Sequence, residues 1–209
     1  MADPRIPPLT REQVGPDFDD IFDVIEKSNG YIPFSYLTLA RAPNILRAFS
    51  NLSKAVIRDE NTTDRGLRFM VAYVSSRTNG CTYCQAHNIR SAANRGVPLE
   101  KLEVIWEYAT HPLFTEAERA ALDLARCATL VPNDVNDVLM ARLKKHYTHR
   151  QIIELLCVVC LFGWLNRFVD SLNVELDEST LEWADDFKLA QKTGWDPDQH
   201  LPVAKAAAR

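Results

Sequence analysis

Apolar residues return every three or four positions along most of this chain, the spacing that lines one face of an α-helix. Phe18, Ile21, Phe22 and Ile25 share a face within residues 17–26. Pro43 suits a first helical turn, and the spacing predicts a helix over 44–58 with Ile45, Leu46, Phe49, Leu52 and Val56 turned inward. Thr62 or Thr63 is placed to cap the next helix, which carries Leu67, Met70, Val71 and Val74 and stops near Asn79 and Gly80. Another starts around Cys81, runs to Asn94 and is closed by Gly96. Residues 98–108 read as helix, and Thr115 with Glu118 forms a capping box that opens a helix through Ala128. A helix over 133–146 follows Pro132. Thr148 opens a long, mostly buried one over 149–172, and Ser179 is a candidate cap for a last one over 180–191. No stretch shows the strict alternation of a strand. The expectation is a single all-α domain spanning 1–209, its core within about 17–195, with loosely tethered ends at 1–14 and 196–209. Residues 63–88 and 148–173 echo each other as capped helix, break and continuation, either a degenerate internal repeat or a coincidence.

Composition narrows the class. Of 209 residues, 46% are hydrophobic and 25% charged, ordinary for a soluble domain. A net charge of −4 and scattered basic residues exclude a nucleic-acid surface. The strongest apolar run, 155–165, is about half of what a membrane span needs. The first ten residues, MADPRIPPLT, lack the apolar core of a signal peptide, so the expected location is the cytoplasm, with no membrane partner. There are five cysteines in no framework spacing. In a reducing compartment a close pair points to catalysis or metal binding rather than a structural disulfide.

One such pair sits in promising chemistry. Cys81 falls at the start of a helix, where the dipole favours a thiolate. Cys84 lies one turn on, close enough to pair with it, and His87 is three residues further on the same face, placed to take or stabilise a thiol proton. A thiolate there attacks peroxides or disulfides, and the second cysteine resolves a sulfenic acid. Zinc is the rival for Cys81, Cys84 and His87, but a closed site wants four ligands, so no metal is expected. The second CxxC, Cys157 and Cys160, lies within an apolar helix and reads as small core residues; Cys127 reads the same way. Tyr83 either lines a pocket or packs against another subunit. Ser76 either bonds near the sulfurs or bonds back to its own helix. Arg167 is expected to pair with a carboxylate, Asp170 being three residues on.

The phrase Ser76-x-x-x-Gly80-Cys81-x-Tyr83-Cys84-x-Ala86-His87 resembles the carboxymuconolactone decarboxylase superfamily, in its alkyl hydroperoxidase D-like branch. Residues 114–122 and 152–172 are similar to its peroxidase-related members, and the likeness covers roughly residues 17–195. The resemblance implies an all-helical bundle that assembles into homo-oligomers, with Cys84 peroxidatic and Cys81 resolving. This chain departs from the family's proton relay at both ends. Asn88 stands at the relay histidine, with His87 one position earlier, and Phe69 stands at the relay glutamate. Glu118, Glu154 and Glu103 are the candidates to supply the missing acid, although Glu118 also serves its capping box and a buried Glu154 would need a partner.

The resulting expectation is a thiol-dependent peroxidase, or a related disulfide oxidoreductase, that needs no bound cofactor. Its substrate is a peroxide and its reductant an external dithiol. Two other classes fit the same residues. One is a decarboxylase-like enzyme acting on a small carboxylated ring compound, whose activity survives thiol alkylation. The other is a non-enzymatic redox sensor with a reversible disulfide.

Overall fold

Thr10, Asp64, Cys81, Thr115, Asn136, Thr148 and Asp177 each open a helix with a side chain that accepts from a first-turn N–H, whereas the helices after Phe18 and Ala42 start without one. The structure, a computed structural model, describes residues 4–197 and 200–202; no strand occurs among them. Thr10 boxes α1 (Arg11–Val14), which leads to α2 (Asp19–Asn29) and α3 (Phe34–Leu39). Pro43 opens α4 (Pro43–Ser53), which runs into a π-helical turn at Lys54–Arg58. Then follow α5 (Arg65–Thr78), α6 (Thr82–Ala93), α7 (Leu99–Glu103), α8 (Glu116–Thr129), α9 (Asp137–Lys144), α10 (His149–Leu172), α11 (Glu178–Asp186) and α12 (Leu189–Thr193).

The core is built around α5, which packs most extensively against α6, α8 and α10. Every residue from Gly66 to Ser76 is buried. Emptying such a site is expensive, so Tyr73→Ala should cost about 3–5 kcal/mol. Arg68, buried in this helix, donates Nη1 to Val56 O at 2.9 Å and Ile57 O at 3.1 Å, so it ties α5 to the π-helical turn.

Several expectations are corrected. Asp64 caps α5, while Thr62 and Thr63 instead hold the Glu154 carboxylate through their N–H groups and hydroxyls. The helix after Pro132 is shorter, starting at Asp137 on an Asn136 cap. Asp177 rather than Ser179 caps α11, and a left-handed Lys188 separates it from α12. Ile45 (52% exposed) and Leu52 (54%) of α4 face outward, as do Ile153 (62%) and Trp164 (41%) of α10. Helix α10 is therefore buried on one side only, and Cys157 and Cys160 lie on its exposed side, not in the core. It is long and apolar enough to cross a membrane, but one side of it packs on α5 and α8. It also runs unbroken through Gly163, so the echo of residues 63–88 stops at the cap. Arg167 bonds Gly163 O, and Asp170 pairs with His200. The described residues of both ends are docked. Arg5 N–H donates to Leu172 O at 2.9 Å, and Trp195, His200 and Leu201 are buried. Residues 1–3, 198–199 and 203–209 of the expected loose ends lie outside the described residues.

Candidate active site

The dithiol is set by the way one helix hands over to the next. Gly80 has φ +79°, a conformation that costs little only for glycine, and it ends α5 in a Schellman turn. The Cys81 N–H closes that turn on Ser76 O at 2.9 Å. The sulfur of the same residue opens α6, accepting the Cys84 N–H at 3.4 Å. Cys81 thus belongs to both helices, and Cys84 follows in the first turn, where the helix dipole is most favourable to a thiolate. Both thiols are free and buried. Burial, reinforced by Cys84 and Asp170, pushes the Cys81 thiol up, so it stays protonated.

A cavity of about 100 Å³ reaches Cys84 but does not include Cys81 among its walls. Tyr31, Tyr36, Phe49, Phe69, Tyr83 and Phe162 give it an aromatic lining, with His87, Asn88, Arg58 and Arg95 as polar neighbours. Tyr83 is buried, its hydroxyl accepting the Ser35 N–H at 3.3 Å. Its ring lies between two imidazoles, 4.4 Å from His87 and 5.6 Å from His200 by centroid.

His87 joins this cavity through partners the sequence did not announce. Its Nδ1 is 2.8 Å from the Tyr31 hydroxyl and 3.4 Å from Thr180 Oγ1. Its Nε2 is 3.5 Å from Asp177 Oδ2, near enough for attraction but not aligned as a hydrogen bond, and both atoms are otherwise unpartnered. Burial, followed by the nearby Asp177 charge, pushes the Tyr31 hydroxyl up to about 12, so it remains a proton donor. It donates to Nδ1, and the histidine proton then sits on Nε2 toward the carboxylate. Burial pulls the His87 imidazole down, and Asp177 opposes this, so the ring is neutral over a wider pH range. Among the described residues no hydrogen bond joins the Cys84 sulfur to His87, so the expected direct proton transfer is not preformed.

Behind the dithiol is a second pair. His200 Nδ1 is 2.7 Å from Val174 O and its Nε2 is 3.0 Å from Asp170 Oδ1. Both nitrogens face acceptors. One ligand atom from each of Cys81, Asp170 and His200 falls within 4.8 Å of the others, the grouping that could hold a metal ion.

The three glutamates expected to complete a relay are elsewhere. Glu118 is held by Thr115 and Lys101, Glu154 by Thr62, Thr63 and Arg150, and Glu103 by Lys192. The acid beside His87 is Asp177, whose Oδ1 caps α11 through the Thr180 N–H at 3.0 Å. Its place three residues before Thr180 is itself a capping signature. Ser76 and Asn88 are brought together but not at the sulfurs. Ser76 Oγ accepts from Asn88 Nδ2 and Asn166 Nδ2, each at 3.2 Å, a buried link between α5, α6 and α10.

Residues 43–126 match the family model described as the carboxymuconolactone decarboxylase family, and the fold matches alkylhydroperoxidase-like structures over nearly its whole length. Over those residues the chain is similar to the carboxymuconolactone decarboxylase family. The chain is 26% identical to the protein YnjA of Escherichia coli (strain K12) over 134 residues, 64% of this chain and 74% of that one. It resembles the debrominase Bmp8, solved with 2,3,4-tribromopyrrole after a cysteine was changed to alanine. The TM-score is 0.80 and the identity 25%, covering 87% of this chain and 96% of Bmp8. It shares the fold of the alkylhydroperoxidase AhpD core seen in a peroxidase-related protein from Ralstonia eutropha JMP134. There the TM-score is 0.77 and the identity 20%, over 86% of this chain and 95% of that one.

Proposed function

We propose that the protein is a thiol-dependent peroxidase that reduces small organic hydroperoxides with Cys84. The observation that carries this is the split between the two thiols: Cys84 meets the cavity, and Cys81 stands behind it, its sulfur on the Cys84 N–H. The Cys84 thiolate attacks the terminal peroxide oxygen and the O–O bond breaks. Cys84 becomes a sulfenic acid and the alkoxide leaves with a proton. Tyr31 gives that proton; the proton that Cys84 released on ionising is taken up by the His87 ring, which beside Asp177 becomes an imidazolium and returns a proton from Nδ1 to Tyr31, so all three form a relay on the cavity wall. The Cys81 thiol then attacks the sulfenic sulfur, water leaves and a disulfide forms. An external dithiol, as a reducing compartment supplies, returns both thiols. The protein is proposed to work as a homo-oligomer, with Ile45, Leu52, Ile153 and Trp164 covered by another copy. Sedimentation equilibrium checks this; a monomer at micromolar concentration overturns it. The test of the reaction is consumption of cumene hydroperoxide with dithiothreitol. A wild-type rate no faster than dithiothreitol alone overturns the reading.

The aromatic lining and the likeness to Bmp8 favour a second reading, reductive dehalogenation of a small aromatic bromide. Its balance is ArBr plus two thiols giving ArH, HBr and a disulfide. Bromide release from a bromopyrrole, matched one to one by disulfide, distinguishes it from peroxide reduction.

A further inference from the structure

Phe69 lines the dithiol cavity and carries the Arg95 guanidinium 4.4 Å from its ring centroid. Arg58 lines the same cavity. Arg95 donates Nη1 to Ser91 O at 3.1 Å and Nη2 to Ser28 Oγ at 3.5 Å, and Arg58 donates Nη2 to Ser50 O at 3.2 Å. The Nε of each is buried with no hydrogen-bond partner. Ion pairs fall to Arg11, Arg47, Arg119, Arg142 and Arg150, while Arg58 and Arg95 form none among the described residues. Arg65 and Arg68 add to the same field. Burial first, then Arg65, Arg68 and Arg58, bring Arg95 down to about 10, which leaves it charged at neutral pH. Two half-buried cations beside an apolar cavity, with donors unused and no counter-charge, are costly unless an anion joins them. A guanidinium fork matches a carboxylate.

We propose that the cavity selects organic hydroperoxides that carry a carboxylate, which Arg58 and Arg95 hold while the aromatic walls direct the peroxide to Cys84. This rests on the peroxidase reading above and names its substrate class. The carboxylate takes no part in the bond changes. The thiolate still takes the terminal oxygen, the alkoxide still leaves protonated, and the product is a hydroxy-carboxylate. Phe69 has a positive role here: an aromatic face supports Arg95 where a carboxylate would cancel the charge the substrate needs.

The test compares cumene hydroperoxide with 4-(2-hydroperoxypropan-2-yl)benzoate, with dithiothreitol as reductant. Wild-type kcat/KM is expected to be roughly tenfold or more higher for the carboxylated peroxide, the gain lying mostly in KM and shrinking with salt. Arg58→Met with Arg95→Met should bring that ratio to within about twofold of one, and the double lysine variant should restore part of it. Circular dichroism confirms that each variant is folded. A wild-type ratio near one, or a preference that survives the methionines, overturns the proposal. Calorimetric binding of 4-(2-hydroxypropan-2-yl)benzoate against cumyl alcohol reads the arginines without turnover. Arginine-dependent benzoate binding with no peroxide reduced removes the peroxidase reading and keeps the carboxylate site. Peroxide reduction with no arginine-dependent binding removes the proposal and keeps the peroxidase.

Discussion

Cys81 and Cys84 have the same spacing as Cys157 and Cys160, and both pairs lie in helical segments, yet their surroundings differ completely. The first pair straddles a helix start, where Gly80 ends one helix and Cys81 opens the next. Both of its thiols are buried, Cys84 against the lined cavity and Cys81 beside Asp170 and His200. The second pair sits mid-way along α10, on an exposed apolar face, far from either helix end. Burial, the neighbouring Cys160 and Glu154 push the Cys157 thiol up, and no base faces it among the described residues. Spacing alone therefore says little. Position relative to a helix terminus goes with the difference: the pair at a helix start is buried with Cys84 on a cavity, and the pair in mid-helix lies exposed.

The comparison is most easily broken by substitution at the thiols. Cys84→Ser should lower peroxide turnover by about a thousandfold or more, whereas Cys157→Ser with Cys160→Ser should leave it within about twofold. A coupled peroxide assay reads both, and equal losses would erase the distinction. Peptide mass mapping after one equivalent of peroxide should find the loss of two hydrogens on the 81–84 peptide alone.

The relay gives the next largest effect. Tyr31→Phe should cost roughly a hundredfold in kcat with little change in KM, the usual scale for one proton donor. Asp177→Asn retains a good helix cap while removing the charge. Its expected loss is about tenfold in kcat, with a shifted pH profile and a stability change below about 0.5 kcal/mol. The contrast is Glu154, which lies one turn before Cys157 and anchors the 62–63 loop. Burial alone would push its carboxyl up, but the bonds from Thr62, Thr63 and Arg150 prevail and hold it down. Glu154→Ala should cost about 2–3 kcal/mol in urea denaturation while the folded enzyme keeps its kcat.

The smallest effect is a pH dependence. Unfolded, His87 takes up a proton near its ordinary pKa of about 6.5; folded, burial holds the ring neutral to lower pH. Its contribution is full above about 6.5 and is lost as pH falls toward the depressed folded value. The denaturation midpoint should therefore fall between pH 7.5 and 5.5, and His87→Gln should flatten that fall.

The fold was legible wherever a local device marked a boundary. The Thr115–Glu118 and Thr148 caps, Pro43 and Gly80 all placed helix ends closely, because each acts within one turn of itself. The outward faces of α4 and α10 were not legible, since a face awaiting another surface has the same apolar spacing as one already in a core. The dithiol and His87 were legible from a local motif. Asp177, Tyr31, Asp170 and His200 were not, because they lie far along the chain from residues 81–87 and only tertiary packing brings the first two to His87 and the last two to Cys81. Asp177 is hidden further because the same aspartate serves as a helix cap.

The strap over the back of the dithiol has a consequence in time. Trp195 Nε1 donates to Thr82 O at 2.8 Å, Thr82 Oγ1 donates to Pro197 O at 3.3 Å, and His200 stands beside Cys81. A ribosome that has reached residue 190 has already made both thiols, Tyr31, His87, Asp170 and Asp177, but not Trp195 or His200. Synthesis runs from the N-terminus, and α6 can form before that strap exists. The nascent chain therefore carries Cys81 and Cys84 with one side uncovered until residues 195–200 have been made.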